Sequence, residues 1–555
     1  MTRHKKSSGN AKAKLLLGEE SLLGDPWVPI YEMPVEFDAH HFESAMSNLI
    51  KQPNINSTVI MRADILKENK YDPKEGDYTF VSKSINEFPK FPMSDTEEGE
   101  ILHRYLQDAE LKSMPLGNSA LELTIKSEVV RRIIPRNPFK DYIINQTCII
   151  LTNEDTVFVA YIPHIQSEEE TPFYLPPVRA IGILYHKSKL SIHYLPFDFK
   201  KQDSLRSLDW TERPIRIALR LLETSSKHSQ GAKDGYEKRV LHDLVVPKVA
   251  FQNRYISLKR KYSSQLVSQW CESTDPKKHV FEDIAIAAFL IELWSQNYKS
   301  NDEFEFRDLG CGNGLLVYIL LLEGYKGQGI DARARKSWSM YPQEVQNQLK
   351  EQVLIPGVLL KPHPAVQKLA PHITDNGRYF QVPDKVSSHS EPLMTYHSAA
   401  NLLQSPHICT TETFPPNTFI IGNHSDELTC WIPLLNFPFM VIPCCSHALN
   451  GAKVRYSPSK RRSPLYPVNV STYSALVDHV EDLSVQMGWL VEKEMLRIPS
   501  TRNAALIGTQ KAPAFLNISE DSIQTRVLDI LVLEGGAEGW VENSMALMKK
   551  PPRSH

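Results

Sequence analysis

One short run constrains this 555-residue chain more than any other: Asp308-Leu-Gly-Cys-Gly-Asn-Gly314, set between two apolar segments. Residues 304–309 read as a β-strand. Residues 315–322 are an unbroken apolar block that reads as a buried helix, ended by Gly324. Gly327-Gln-Gly-Ile330 then reads as a second strand with Asp331 at its tip, 23 residues after Asp308. A loop without side chains lets the backbone approach a nucleoside closely, and glycine tolerates positive φ. An acid at the tip of the next strand can accept both ribose hydroxyls. A dinucleotide loop reads G-x-G-x-x-G, its third glycine letting a helix seat a pyrophosphate. Here the pattern is G-x-G-x-G with an acid two residues ahead, which suits a nucleoside cofactor without a pyrophosphate. The plain alternative is a glycine-rich turn in an unrelated α/β domain.

The sequence beyond Asp331 continues the sheet. Residues 417–422 form a β run ending in Asn423-His424-Ser425-Asp426-Glu427, and 437–442 another, ending in Pro443-Cys444-Cys445-Ser446-His447. Ligands of open α/β sheets bind outside the carboxyl ends of the strands, so both polar clusters fall where chemistry is expected. Tyr473, Leu476, Val477, Val480, Leu483 and Met487 keep helical spacing, with Gly488 as the C-terminal cap. Runs at 490–498 and 504–508 read as an antiparallel hairpin that closes the sheet. Roughly 85 residues separate Asp331 from the strand at 417, so an insertion near 345–410 is expected and the third strand stays unassigned. Upstream, Asp275-Pro276 is a helix start, and the helix it opens runs to about residue 298, apolar enough all round to be buried.

Before residue 240 the patterning differs. Runs at 142–151 and 156–163 flank a short polar turn, and 178–185 and 190–195 form a second hairpin pattern. A helix is expected near 211–224, with Pro214 in its first turn. This describes a mixed α/β region, while 20–120 gives few clear periods. The expected organisation is a disordered basic tail (1–20), an N-terminal mixed α/β region that can bind RNA (21–240), a catalytic α/β domain (241–513) and a C-terminal extension (514–555).

Composition narrows the setting. Hydrophobic residues make up 41% and charged residues 23%, which excludes a wholly disordered chain. The longest apolar runs have eight residues, too few to span a membrane, and only three leucines follow the basic start, so no signal peptide is expected. Seven scattered cysteines fit a reducing compartment rather than a disulfide scaffold. The net charge of −2 names no partner, but local charge does. Lys238, Arg239, Lys248, Arg254, Lys259, Arg260 and Lys261 are interleaved with Tyr236, Tyr255 and Tyr262. Such a segment can neutralise phosphates and stack on unpaired bases, or can simply be the solvated face of a linking helix. Lys460-Arg461-Arg462 and Arg131, Arg132 and Arg136 are further candidates for an RNA footprint.

Asp308 to Gly314 resembles motif I of class I S-adenosylmethionine-dependent methyltransferases, which have a Rossmann-like fold. Further segments resemble one family within that class. Val280-Phe-Glu-Asp-Ile-Ala-Ile-Ala-Ala288, Glu323-Gly-Tyr-Lys-Gly-Gln-Gly-Ile-Asp-Ala-Arg333, Ile421-Gly-Asn-His-Ser-Asp-Glu-Leu428, Ile442-Pro-Cys-Cys-Ser-His447 and Leu496-Arg-Ile-Pro-Ser-Thr-Arg-Asn503 are similar to the tRNA (uracil-2′-O-)-methyltransferase family. The resemblance is best from about 240 to 510. It implies 2′-O-methylation of uridine 44 in serine tRNA, in the cytoplasm, with S-adenosylmethionine as donor and tRNA as partner. Some relatives carry a C-terminal Cys/His zinc finger. No cysteine follows Cys445, so that module is absent and no metal is expected.

The resemblance also implies roles. Asp308, Gly310, Gly312 and Gly314 line the methionine and ribose side of the cofactor, and Asp331 takes the ribose hydroxyls. Arg333, Arg335 and Lys336 flank the adenine, meet tRNA phosphate or lie in a solvated loop. Many ribose methyltransferases carry a Lys-Asp-Lys-Glu tetrad, and none maps onto this chain. Asp426 and His424 are the nearest candidates, Asp426 to orient the hydroxyl and His424 to accept its proton. The alternative is that 423–426 caps a helix. Asn423, His447, Arg502, Arg254, Lys259 and Arg260 are candidate substrate contacts. Zinc at Cys444, Cys445 and His447 is not expected, since adjacent cysteines chelate poorly. Two rival readings remain: a methyltransferase for a protein or small molecule, and an inactive RNA-binding scaffold. Some 240 residues ahead of the domain favour a macromolecular substrate, and the intact glycines and Asp331 argue against a scaffold.

Overall fold

Alternating side chains and tight turns fold the first half of the chain into one long antiparallel sheet. The computed structural model describes residues 13–72, 76–87, 106–117, 121–138, 140–236, 242–383, 394–457 and 471–549, and divides into two units, Met1–Glu237 and Lys238–His555. The first unit carries β1 (Lys14–Leu15), β2 (Val28–Pro34), β3 (Ile60–Asp72), β4 (Gly76–Val81), β5 (Thr124–Pro135), β6 (Ile144–Thr152), β7 (Thr156–Pro163), β8 (Ala180–His186) and β9 (Lys189–Leu195). Their order is β1-β2-β9-β8-β7-β6-β5-β3-β4. Asn153 Oδ1 accepts from the backbone N–H groups of Asp155 and Thr156 and so fixes the β6–β7 turn. Helices α1 (Ala39–Lys51) and α2 (Arg213–Lys233) cover one face. They bury Phe42, Met46, Ile215, Ala218 and Leu222 in one cluster with Val28, Ile30, Ile183, Ile192 and Tyr194.

Two expectations for this unit need correction. Lys14 and Leu15, inside the stretch read as a tail, pair with Glu32 and Tyr31; residues 1–12 lie outside the described residues. Arg131 and Arg132 cannot meet a phosphate, because both are buried. Arg131 donates to the carbonyls of Leu49 and Ile50 and to Gln146 Oε1, while Arg132 donates to Asn145 Oδ1 and the carbonyls of Glu87 and Leu106. The sequence marks their charge and not their burial.

In the second unit the period switches to strand–helix alternation. Its elements are α3 (Lys248–Ser268), α4 (Pro276–Asn297), β10 (Glu305–Leu309), α5 (Leu315–Leu322), β11 (Gly327–Asp331), β12 (Leu349–Glu351), β13 (Thr418–Asn423), β14 (Phe439–Ile442), α6 (Thr472–Gln486), β15 (Trp489–Met495), β16 (Ala504–Lys511), α7 (Glu520–Leu533) and α8 (Trp540–Leu547). Asp275 caps α4 by accepting from the Lys277 and Lys278 N–H groups. The sheet runs β12-β11-β10-β13-β14-β16-β15. Its first five strands are parallel, and β16 pairs antiparallel with both β14 and β15.

Alternation along the strands divides the core. Phe306, Phe419, Ile421, Met440 and Ile507 point to the face covered by α4 and α5. Leu309, Ile420, Phe439, Val441 and Leu506 point to the face covered by α6, α7 and Trp540. The segment read as a C-terminal extension therefore supplies part of this core. The unassigned third strand is β12, only three residues long. The expected insertion carries two small pairs, Val353–Leu354 with Ile408–Cys409 and Tyr379–Pro383 with Met394–Ser398. Among the described residues no helix is long and apolar enough to cross a membrane.

Candidate functional site

Strand order creates the site. The chain leaves β10 for β11 and β12 on one side, then returns to place β13 on the other. The loops after β10 and β13 therefore diverge and leave a crevice at their carboxyl ends. A cavity of about 850 Å³ opens there. Gly310 to Asn313, Asp331 to Lys336, Asn423 to Leu428, Cys444, Cys445 and Ser500 to Arg502 line it, together with Glu282 and Asp283 of α4 and Trp540, Ser544 and Leu547 of α8.

The glycine loop is held by its backbone. Gly310, Gly312 and Gly314 all take positive φ, at 78°, 53° and 74°. Gly310 donates its N–H to the Ile330 carbonyl, tying the loop to β11. Gly312 donates to Asp331 Oδ2 at 2.9 Å, and Arg333 donates to Asp331 Oδ1 at 3.1 Å. From the far side, Trp338 Nε1 donates to the Gly312 carbonyl, and the Ser337 and Tyr341 hydroxyls donate to the Asn313 carbonyl. A Cβ on Gly312 would meet nothing within 4 Å, whereas one on Gly314 would meet Leu349 at 3.1 Å. Gly312 thus faces open cavity, and Gly314, which does not line it, opens α5.

Acids concentrate behind this loop. Asp308 is 1% exposed, lies under the cavity rather than on its wall, and its Oδ1 has no hydrogen-bond partner. Burial, reinforced by Asp283 and Asp331, holds its carboxyl well above the usual range. Asp283 is pushed up to about 8 by burial and by Glu282, against the opposing hydrogen bond from Asn423. An unpaired buried carboxyl oxygen beside an open glycine cradle fits a cationic nucleoside whose ammonium supplies donors.

The end of β13 and the loop after it are held by α4, the helix that carries Glu282 and Asp283. Asn423 Nδ2 donates to Asp283 Oδ1 at 3.1 Å, and His424 Nε2 lies 3.0 Å from Glu282 Oε1. His424 and Asp426 both take left-handed backbone, φ 53° and 43°, a strained conformation for residues with a Cβ. Cys444 donates its thiol to Asp426 Oδ1 at 2.8 Å, and Arg502 Nη1 lies 3.3 Å from Cys445 Sγ. Burial and the Asp426 carboxylate together raise the Cys444 thiol pKa. Asp426, Cys444 and Cys445 bring ligand-type atoms within 4.8 Å of one another. Each is already engaged by the thiol and guanidinium contacts just described.

The sequence candidates thus separate into groups. Gly310, Gly312, Asp331, Asn423, His424, Asp426 and Arg502 meet around one cavity. His447 does not: it is buried behind the wall, with Nε2 3.9 Å from Glu427 Oε1. Arg254, Lys259 and Arg260 lie on α3, off the cavity; Arg254 pairs with Glu292 at 2.7 Å and Lys259 sits 5.4 Å from the Phe281 ring. Tyr262 is buried, its hydroxyl bonded to Glu323, and is unavailable for stacking. Lys238, Arg239 and Lys460-Arg461-Arg462 lie outside the described residues. The sequence reading missed Glu282, Asp283 and Trp540. Two adjacent acids heading the long apolar run of α4 were the available signal for the first pair.

Comparison with known proteins adds an independent line. The family model described as "TRM44-like, N-terminal bet v1-like domain" matches residues 5–239, and "Predicted AdoMet-dependent methyltransferase" matches 245–356. A Debaryomyces hansenii protein named tRNA (uracil-O(2)-)-methyltransferase is 66% identical, covering 100% of both chains. Proteins of the same name from Saccharomyces cerevisiae and Schizosaccharomyces pombe are 50% and 38% identical, covering 100% and 95% of this chain and 99% and 94% of their own. No solved structure matches the chain.

Proposed function

We propose, from the premise that the chain belongs to the tRNA (uracil-O(2)-)-methyltransferase family, that it methylates the ribose 2′-hydroxyl of a uridine in tRNA with S-adenosylmethionine as donor. By the same resemblance the uridine is position 44 of serine tRNA, the setting is the cytoplasm, and the second unit is a Rossmann-like class I methyltransferase domain. The observation that carries the reading is that one cavity is lined by both the Gly310–Asp331 wall and the Asn423–Asp426 wall.

Gly310 and Gly312 hold the methionine side of the donor from the cavity wall, Asp331 takes its ribose hydroxyls, Asp308 supports the glycine loop from beneath, and Gly314 supports it by opening α5. When bound, S-adenosylmethionine supplies a methyl group on a cationic sulfur. The chain's own residues do the rest. Asp426 orients the substrate hydroxyl, His424 accepts its proton, and Asn423 and Arg502 position the nucleotide. His447 acts from behind through Glu427, and Arg254, Lys259 and Arg260 extend the tRNA contact along α3. Alignment of the reacting atoms within about 3–3.5 Å is the main requirement, and a placed base adds about 10²–10⁴-fold.

The test is methyl transfer from labelled S-adenosylmethionine to tRNA lacking the modification, followed by nucleoside analysis. Appearance of 2′-O-methyluridine in serine tRNA is expected. Methylation of protein, or of another nucleoside, overturns the reading.

A further inference from the structure

We propose that Glu282 is a positioning residue for the methyl transfer, fixing both the tautomer and the direction of the His424 imidazole. This rests on the reading of His424 as proton acceptor.

The geometry is specific. Two successive acids of α4, Glu282 and Asp283, reach two successive residues where β13 ends, His424 and Asn423. Both acids are at least nine-tenths buried. A nearly buried acid pair where α4 faces the cavity is expensive to keep, and core packing gains nothing from it. His424 sits in left-handed backbone, so the loop is held in a shape it would not choose alone. The Glu282 carboxylate accepts from Nε2 at 3.0 Å, and the ring proton therefore resides on Nε2. Nδ1 keeps its lone pair, and the His424 side chain remains a quarter exposed in the cavity wall.

In the reaction, an electron pair of the 2′-oxygen forms the bond to the methyl carbon, and the methyl–sulfur bond pair leaves with sulfur. The hydroxyl proton passes to His424 Nδ1. The imidazolium that results lies against the Glu282 carboxylate and later returns its proton to water. Glu282 acts by holding one ring nitrogen and stabilising the charge the ring acquires.

A double-mutant cycle tests this, with turnover, KM and cofactor affinity measured on the full chain. His424→Ala is expected to lower kcat by about 10²-fold or more. Glu282→Ala is expected to lower kcat by about tenfold or more, with cofactor Kd within about twofold of the parent. Adding Glu282→Ala to His424→Ala is expected to change nothing further. If His424→Ala retains near-parental kcat, the base reading fails and this inference with it. If His424→Ala is slow but the two losses multiply, or Glu282→Ala leaves kcat unchanged, His424 stands and the role of Glu282 is overturned. Should Glu282→Ala not fold, Glu282→Leu replaces it in the cycle: it fills the space with an apolar side chain but offers Nε2 no acceptor. Its kcat is expected to lie between those of the parent and His424→Ala, and parental kcat overturns the proposal.

Discussion

The backbone N–H of Gly312 donates to Asp331 Oδ2 across 2.9 Å, so the acid at the tip of β11 shapes the glycine loop as well as facing the cavity. On the proposed reading, Asp331→Ala therefore removes a ligand contact as well as this loop anchor. Cofactor affinity is expected to fall by about ten- to a hundredfold, the loss of one charged hydrogen bond of about 1.5–3 kcal/mol. Calorimetric titration with S-adenosylmethionine reads it directly. Asp331→Asn, which keeps an acceptor for Gly312, should lose less.

Asp426 accepts from the Cys444 thiol while facing the cavity. On the proposed reading, in which this group acts on the hydroxyl and not on the donor, Asp426→Ala is expected to lower kcat by about 10²-fold with little change in cofactor Kd. Cys444→Ser keeps a donor to Asp426 and should retain most activity. A parental rate in Asp426→Ala would remove this residue from the reaction.

Asp283 gives the site a pH signature. Its folded pKa is raised from the usual carboxylate value near 4 to about 8. The folded state then binds more protons than the unfolded chain between these limits, so this contribution to stability is full below about pH 4 and is lost as pH rises through about 8. Asp308, raised for the same reason, acts in the same direction. Thermal melting of the ligand-free protein from acid to mildly alkaline pH should show the decline, and Asp283→Asn should flatten it. Affinity for the cationic donor should move the opposite way, rising as Asp283 ionises.

Lys259 and Arg260 lie on α3, away from the cavity. Replacing both with alanine should weaken tRNA binding and reduce the slope of log affinity against log salt by about one for each phosphate left unneutralised. Cofactor Kd should not change. Arg254→Ala, which also breaks the pair with Glu292, should weaken tRNA binding as well. Salt-dependent filter binding distinguishes these outcomes.

Trp540 is 2% exposed, donates Nε1–H to the Leu354 carbonyl at 3.2 Å, and packs 5.5 Å from the Trp431 ring. Trp540→Ala should destabilise the second unit by about 3–5 kcal/mol, and Trp540→Phe, which loses chiefly the hydrogen bond, by about 1 kcal/mol. Saturating S-adenosylmethionine should recover part of the loss, since ligand bound only to the folded state stabilises it. Chemical denaturation with and without ligand measures both.

What the sequence made legible was local in the chain. Strand, glycine loop, helix and acid lie within Glu305–Asp331, and their periods and punctuation name them without reference to anything distant. The hairpins β6–β7, β8–β9 and β15–β16 were readable for the same reason: each pairs neighbours in sequence. β12 was not readable, because three residues carry no period and only its neighbour β11 makes it a strand. Asn423, His424 and Asp426 were found because they follow a strong strand. Their partners Glu282 and Asp283 were not, because 140 residues separate Asp283 from Asn423, and a similar stretch separates Glu282 from His424. Arg131 and Arg132 show the converse: charge alone suggested a surface, and long-range packing put them inside.

The cavity wall draws on residues from Glu272 to Leu547, with α8 forming one side. A chain emerging amino-terminus first therefore has its glycine loop in place well before it has a complete pocket. The wall opposite that loop stays open until α8 has been made, so a ligand that stabilises the closed pocket acts late in folding. Folding of the nascent second unit must therefore begin on its apolar core, before its pocket is closed.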